Sequence, residues 1–273
     1  MTDLLKIEWI KLRKYIVFKL MAIFFAVGVV ALNYIVYTVN KNIVNNVPGA
    51  GLVSFSPYDF KNTWQSTSYA TGFILILPSL LLMLLFTNEY TYKTHRQNII
   101  DGLSRRQFIS VKIAMAFIFA LVSTVLVFFT ALGFGFASGT TFSFHGVVFV
   151  AYFFLKALSY NMVAVLFSVL IRRTGFATGV FFIYTGAENI ISQLLNVLCI
   201  KIKREDGTDL GNIGDYLPMN ASDSLLAFPD NPIKNLSKAI MPTDYTWIAF
   251  SLALFYLVVF YLWSRWKFLK ADL

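Results

Sequence analysis

The chain has 273 residues, of which 58% are hydrophobic, 17% aromatic and only 14% charged, with a formal net charge of +9. A soluble domain carries about 25% charged residues because its surface faces water, so this composition excludes an ordinary soluble fold. Cys199 is the only cysteine, which excludes an internal disulfide framework and a cysteine-based metal site.

Residues 1–15 predict an amphipathic helix lying in the plane of a membrane interface. Leu5, Trp9, Leu12 and Ile16 share one face while Lys6 and Arg13 point away, and Ile10 fits neither side. Apolar runs predict six membrane spans at 16–37, 69–86, 108–137, 146–171, 175–198 and 245–264. Each is near or above the ~20 residues that a ~30 Å hydrocarbon core demands of a helix. The first run is read as a span and not a removable leader, because Lys19 interrupts it and no A-x-A site follows. Pro78 predicts a kink in the second span, and the third is long enough to tilt. Arg172-Arg173 marks the turn between the fourth and fifth spans, and 199–244 forms a large outer loop. The predicted fold is thus an all-α integral membrane protein, a single transmembrane domain over 1–273.

Orientation follows from Lys and Arg near the span ends. With the N-terminus inside, thirteen lie on the cytoplasmic side, among them Lys11, Arg13, Lys14, Lys93, Arg96, Arg105, Arg106, Arg172 and Arg173. Seven lie outside, offset by eight acids that include Asp59, Asp209, Asp215 and Asp223. Both termini are therefore expected in the cytoplasm. A nucleic-acid groove gathers its basic residues on one face, whereas these are spread over four segments, so no nucleic-acid partner is expected.

The stretch 88–107, NEYTYKTHRQNIIDGLSRRQ, joins the second and third spans. A polar opening, the apolar pair Ile99-Ile100, a turn at Asp101-Gly102 and a capping Ser104 predict a short cytoplasmic helix between two spans. On these residues the chain resembles the permease subunit of a type-2 ABC exporter. In that family a Glu closes the second span, a Gly-Thr pair and an apolar coupling helix follow, then a Pro-x-Ser-Arg-like turn and a Lys opening the third span. Here those places hold Glu89, Lys93-Thr94, Ile99-Ile100, Gly102-Leu103-Ser104-Arg105 and Lys112. Lys93 stands where Gly is usual and Gly102 where Pro is usual. The tail WSRWKFLKADL is similar to the family's ending.

The resemblance implies two permeases and two copies of a separate ATPase, with Glu89, Thr94, Arg96, Ile99, Ile100, Leu103 and Arg105 forming the coupling segment. It implies ATP and Mg on the partner ATPase, with no cofactor, metal or catalytic residue on this chain. No G-x-x-x-x-G-K-[ST] loop occurs in it to cradle ATP. Export, a bacterial inner membrane and dimerisation are expectations of the same kind.

Two ionisable residues fall inside spans. Lys156 and Glu188 each lie about ten residues from an outer end, roughly 15 Å deep at 1.5 Å per residue. A charge at that depth costs about 2.5–3.5 kcal/mol unless paired or hydrated, so a Lys156–Glu188 pair is one reading, separate hydrated positions another, and a Lys156 that snorkels outward a third. Thr185, Glu188, Asn189, Ser192, Gln193 and Asn196 form a polar stripe on the fifth span. Lipid offers such groups no partner, so the stripe faces either a translocation path or neighbouring helices. The spacing Gly135-x-x-x-Gly139 permits close helix approach. Asn220-Ala-Ser222 and Asn235-Leu-Ser237 match glycosylation sequons. An intramembrane enzyme finds little support, with His95 and His145 as the only histidines and Ser138 misplaced for G-x-S-x-G. A channel or membrane scaffold shares the topology but lacks the coupling segment.

Overall fold

In the computed structural model, residues 2–46, 56–229, 243 and 245–270 are described, and they contain helices and no strand. The helices are α1 (Thr2–Lys14), α2 (Ile16–Asn46), α3 (Phe60–Gly72), α4 (Ile76–Thr91), α5 (Thr94–Ile100), α6 (Arg105–Ala137), α7 (Val148–Ile171), α8 (Thr174–Asp206), α9 (Asn220–Asp223) and α10 (Thr246–Lys270). A short 3-10 turn at Ile213–Tyr216 precedes α9.

Among the described residues, α2, α6, α7 and α10 are each long and apolar enough to cross a membrane. The pair α3 and α4, bent by 45° at its break, supplies a fifth crossing if taken as one span. The sequence reading has six. The difference is α8, whose 33 residues carry the polar stripe that dilutes its hydropathy.

The second predicted span, 69–86, straddles the break between α3 and α4. Pro78 has no N–H to give the Ile74 carbonyl four residues back, and that carbonyl instead accepts from Leu77 N at 3.1 Å. The outer half of the span, α3, begins at Phe60, earlier than expected, because its sequence FKNTWQSTSYATG is too polar to read as membrane. Its Thr63, Ser66, Thr67, Ser68 and Thr71 are nevertheless buried. Ser66 donates to the Pro57 carbonyl and Gln65 to that of Ala227. On the α2 side, Asn33 donates to Thr71 and accepts from the Tyr58 hydroxyl.

The centre of the bundle is α7, whose apolar window is 67% buried against 17% for α2 and α10. Lipid gives helices no hydrophobic reason to associate, so close packing of small residues takes over. Ala116, Ala120, Ala131, Ala157 and Ala164 all sit at zero exposure in the contacts of α6 and α7. Gly135 works in the same way, but against a side chain: a Cβ there would lie 2.6 Å from the Phe60 ring. Gly139 lies beyond the end of α6 at φ +73°, so the two glycines do not form one helix-packing motif.

The described part of the outer loop, 207–229, packs into the bundle. Ala221 and Leu225 join Leu155 of α7 and Ala249 and Ala253 of α10 in one cluster, while Met219 and Leu226 join the main core. Asn220 is buried, so its sequon is structural and offers no site for a glycan. The second sequon, Asn235-Leu-Ser237, lies outside the described residues.

Candidate functional site

At the end of α4 the chain turns through Lys93, in the left-handed region at φ 56°, into the seven residues of α5. A non-glycine residue there costs about 1–2 kcal/mol, which explains why the resembling family favours Gly at this place. His95 is buried, donating from Nδ1 to the Glu89 carbonyl at 3.0 Å and packing on Tyr90 with ring centroids 4.7 Å apart. Thr94 Oγ1 donates to the same carbonyl at 3.5 Å. After α5 the chain reverses at Gly102, φ +102°, a conformation that glycine adopts without strain. Ser104 then caps α6: its hydroxyl accepts from Gln107 N, and the Gln107 side chain accepts from Ser104 N.

Beneath this short helix lies a charge cluster in which Lys112 and Glu89 are buried, Glu8 is half-buried and Lys11 reaches the surface. Lys112 Nζ reaches Glu8 Oε2 at 2.9 Å and Glu89 Oε1 at 2.8 Å, while Lys11 Nζ reaches Glu8 Oε1 at 3.0 Å and Glu89 Oε1 at 3.1 Å. Two ammonium groups and two carboxylates thus balance, joining α1, α4 and α6. Lys112, 3% exposed, also lies over the Phe108 ring at 5.3 Å and the Phe86 ring at 5.9 Å. Burial pushes the Glu8 carboxyl up, but Lys112 and Lys11 outweigh it and hold the group below its ordinary value. Burial acts downward on Lys11, and Glu89 and Glu8 outweigh it to raise the ammonium above its ordinary value. The C-terminal helix closes the far side, with Phe268 stacked on Phe108 at 5.2 Å and Arg105 donating to the Leu269 carbonyl at 3.4 Å.

The predicted coupling residues therefore divide. Glu89 is inside the cluster, Ile99, Leu103 and Arg105 are half-buried, and Thr94 and Arg96 are exposed. Ile100 is 77% exposed and Tyr92 75%, an apolar pair set among polar neighbours on a rigidly held element. Sequence reasoning missed Glu8, Lys11 and His95 as partners of this segment. The available signal was Glu8 itself: it lies on the face of Leu5 and Leu12, which pack inward, whereas Trp9 and Ile16 are 59% and 70% exposed.

The second polar centre is at the outer end. Lys156 does not pair with Glu188. Its Nζ lies 3.3 Å from Asp223 Oδ1, and Tyr160 donates to Asp223 Oδ2 at 2.9 Å. Glu188 Oε1 accepts from the backbone amides of Met219 at 2.5 Å and Asn220 at 2.9 Å, and from the Asn220 side chain at 3.2 Å. The physical reason is α9: its first turn offers amides to Glu188, and its last residue, Asp223, takes Lys156. Gly72 leaves room for this arrangement, since a Cβ there would stand 3.0 Å from Lys156 Nζ.

The polar stripe of α8 separates in the same way. Thr185, Glu188 and Ser192 are buried. Asn189 and Gln193 are exposed, and Asn196 binds Asp215 and the Gly214 amide at 2.8 Å each. Beyond it, Asp209 is held well below the usual carboxylate range by Thr243, by Lys203 and by the Gly211 amide. Ser138 donates to the Gly135 carbonyl at 2.7 Å, a helix-end contact. Among the described residues no group of three His, Cys, Asp or Glu side chains is placed to hold a metal ion.

One family model matches the chain, that of the ABC-2 family transporter proteins, over residues 4–188. A search of curated proteins returns no match. The matched region contains the charge cluster, α5 and the inward-facing residues Thr185 and Glu188 of α8, and it stops before the outer segment.

Proposed function

Because the chain belongs to the ABC-2 family of transporter proteins, we propose that it is the permease subunit of an ATP-driven exporter whose ATPase is a separate chain. The observation that carries this reading is α5: a short helix gripped at both ends, with Tyr92, Arg96 and Ile100 turned outward. Such a surface suits a groove on a soluble partner. Hydrolysis of MgATP would take place on that partner. This chain receives the resulting motion, and its own residues bind neither metal nor nucleotide on this account.

The cluster gives α5 a mechanical role. Tight turns at 91–94 and 101–104 link it to α4 and α6, and Lys112 and Lys11 hold both helices to α1. A push on α5 is therefore delivered to two spans and the interfacial helix together. We assign α8 to the fifth of six spans, with the exposed Asn189 and Gln193 facing a second permease or a hydrated path, since lipid gives such groups no partner. Two permeases and two ATPases, with both permease termini cytoplasmic in a bacterial inner membrane, complete the proposal.

The test is gentle purification from the native host, followed by identification of what copurifies. The expected result is a soluble subunit with a phosphate loop, lost when Ile100→Glu and Arg96→Glu are introduced together. A folded wild-type protein that copurifies with no ATPase, and conducts or assembles alone, would instead mark a channel or scaffold.

A further inference from the structure

The elbow between α1 and α2 carries a feature that coupling does not use. At this elbow, an open cavity of about 370 Å³ is lined by Trp9, Ile10, Arg13, Lys14 and Lys19. Three cations thus converge on one space with no carboxylate in its lining. The neighbouring groove of about 550 Å³ between α1, α5 and α6 is different, because Glu8 and Asp101 offset Lys11 and Lys112 there. The elbow is rigid: Leu12 is buried, Asn88 donates to the Tyr15 hydroxyl at 2.9 Å, and Trp9 meets Phe18 edge-on at 6.5 Å.

Two of the cations, Arg13 and Lys14, lie in the last turn of α1, where the helix dipole favours positive charge. Lys19 has no such reason to be there. It stands in the first turns of α2, at an end that disfavours a cation and favours an anion. An anion in the cavity removes that penalty. The exposed Trp9, Ile10 and Ile16 beside it supply an apolar rim of the kind that an interfacial helix sets against acyl chains.

We propose that this elbow binds the headgroup of an anionic phospholipid, its phosphate among Arg13, Lys14 and Lys19 and its chains along Trp9, Ile10 and Ile16. The proposal requires only that the chain lies in a bilayer, so it stands or falls apart from the ATPase reading. The site fixes α1 against the membrane surface while Glu8 and Lys11, on the other face, hold it to the coupling segment.

Trp9 lies in the site and reports on it. The full chain is reconstituted in phosphatidylcholine with increasing brominated phosphatidylglycerol or brominated phosphatidylcholine, and tryptophan quenching is measured for the wild type and for Trp9→Phe. The part of the quenching lost in Trp9→Phe is expected to favour the anionic lipid by about fivefold or more. That preference is expected to fall to near one in the triple variant Arg13→Gln, Lys14→Gln, Lys19→Gln. The remaining tryptophans, including the buried Trp64, serve as the folding control. Soluble glycerol phosphate at matched concentration is expected to leave the quenching unchanged. An equal loss in the control variant Arg106→Gln, Arg173→Gln, Lys267→Gln, which lies off the elbow, would overturn the site in favour of general surface charge. A Trp9 signal without preference for the anionic lipid would overturn it outright.

Discussion

The two buried polar centres of this protein satisfy their charges by different means. At the coupling end, two carboxylates meet two ammonium groups, and every partner is a side chain on a long helix. At the outer end, Glu188 is held by backbone amides and an asparagine, and Lys156 by an aspartate of a four-residue helix. The first arrangement joins rigid rods and resists being pulled apart. The second depends on a short segment staying seated in the bundle, so its partners depart together when that segment moves.

Removing one cation from the coupling cluster is the strongest way to break the comparison. Lys112→Met leaves Glu8 and Glu89 in a buried place with Lys11 alone, and losing one partner of a buried pair costs about 3–5 kcal/mol. A large fall in thermal stability in detergent is expected, with partial recovery when Glu89→Gln is added. At the outer end, Glu188→Ala strands two amides and an asparagine, at about 1–3 kcal/mol for each unsatisfied group. The expected readout is local: faster proteolysis within 207–229, with the coupling end unaffected. Gly135→Ala presses on the Phe60 ring, and an overpacked core contact of this kind costs about 1–3 kcal/mol.

Titration sharpens the contrast. The lowered Glu8 carboxyl contributes stability that is complete above its ordinary value of 4.5 and is lost as pH falls through the lower folded value. The raised Lys11 ammonium contributes stability that is complete below 10.5 and is lost as pH rises through the higher folded value. The contribution of this cluster to thermal stability is therefore expected to be flat between those limits and to drop outside them, with the acid drop reduced in Glu8→Gln. The smallest effect is at the entry to α5. Lys93→Gly relieves a left-handed residue and is expected to stabilise the protein by up to ~1 kcal/mol in thermal unfolding.

Legibility in the sequence followed the same division. The coupling end was readable because its signals are local: Ile99-Ile100, Asp101-Gly102 and the Ser104 cap lie within a few residues, and each has one physical meaning. What was hidden there was Glu8, an acid in the middle of a basic helix whose importance depends on which face turns inward. The outer end was not readable, because the partners of Lys156 and Glu188 come from residues 219–223, far along the chain in a segment without periodicity. Polarity misled in both directions. It hid α3, whose hydroxyls are satisfied inside the bundle, and it made α8 look like one continuous stripe when only Thr185, Glu188 and Ser192 turn inward.

The measurement that tests the central claim most directly is cross-linking at α5. Cys199 is the only cysteine, so Cys199→Ala gives a background in which Ile100→Cys is the sole thiol, with Phe136→Cys at the other end of α6 as control. Membranes of the native host are treated with a short bifunctional thiol- and amine-reactive reagent, and the adducts are identified by mass spectrometry. The account predicts that Ile100→Cys links to a soluble ATPase subunit and that Phe136→Cys does not. An Ile100→Cys protein that links only to copies of itself, or to no ATPase, would contradict it.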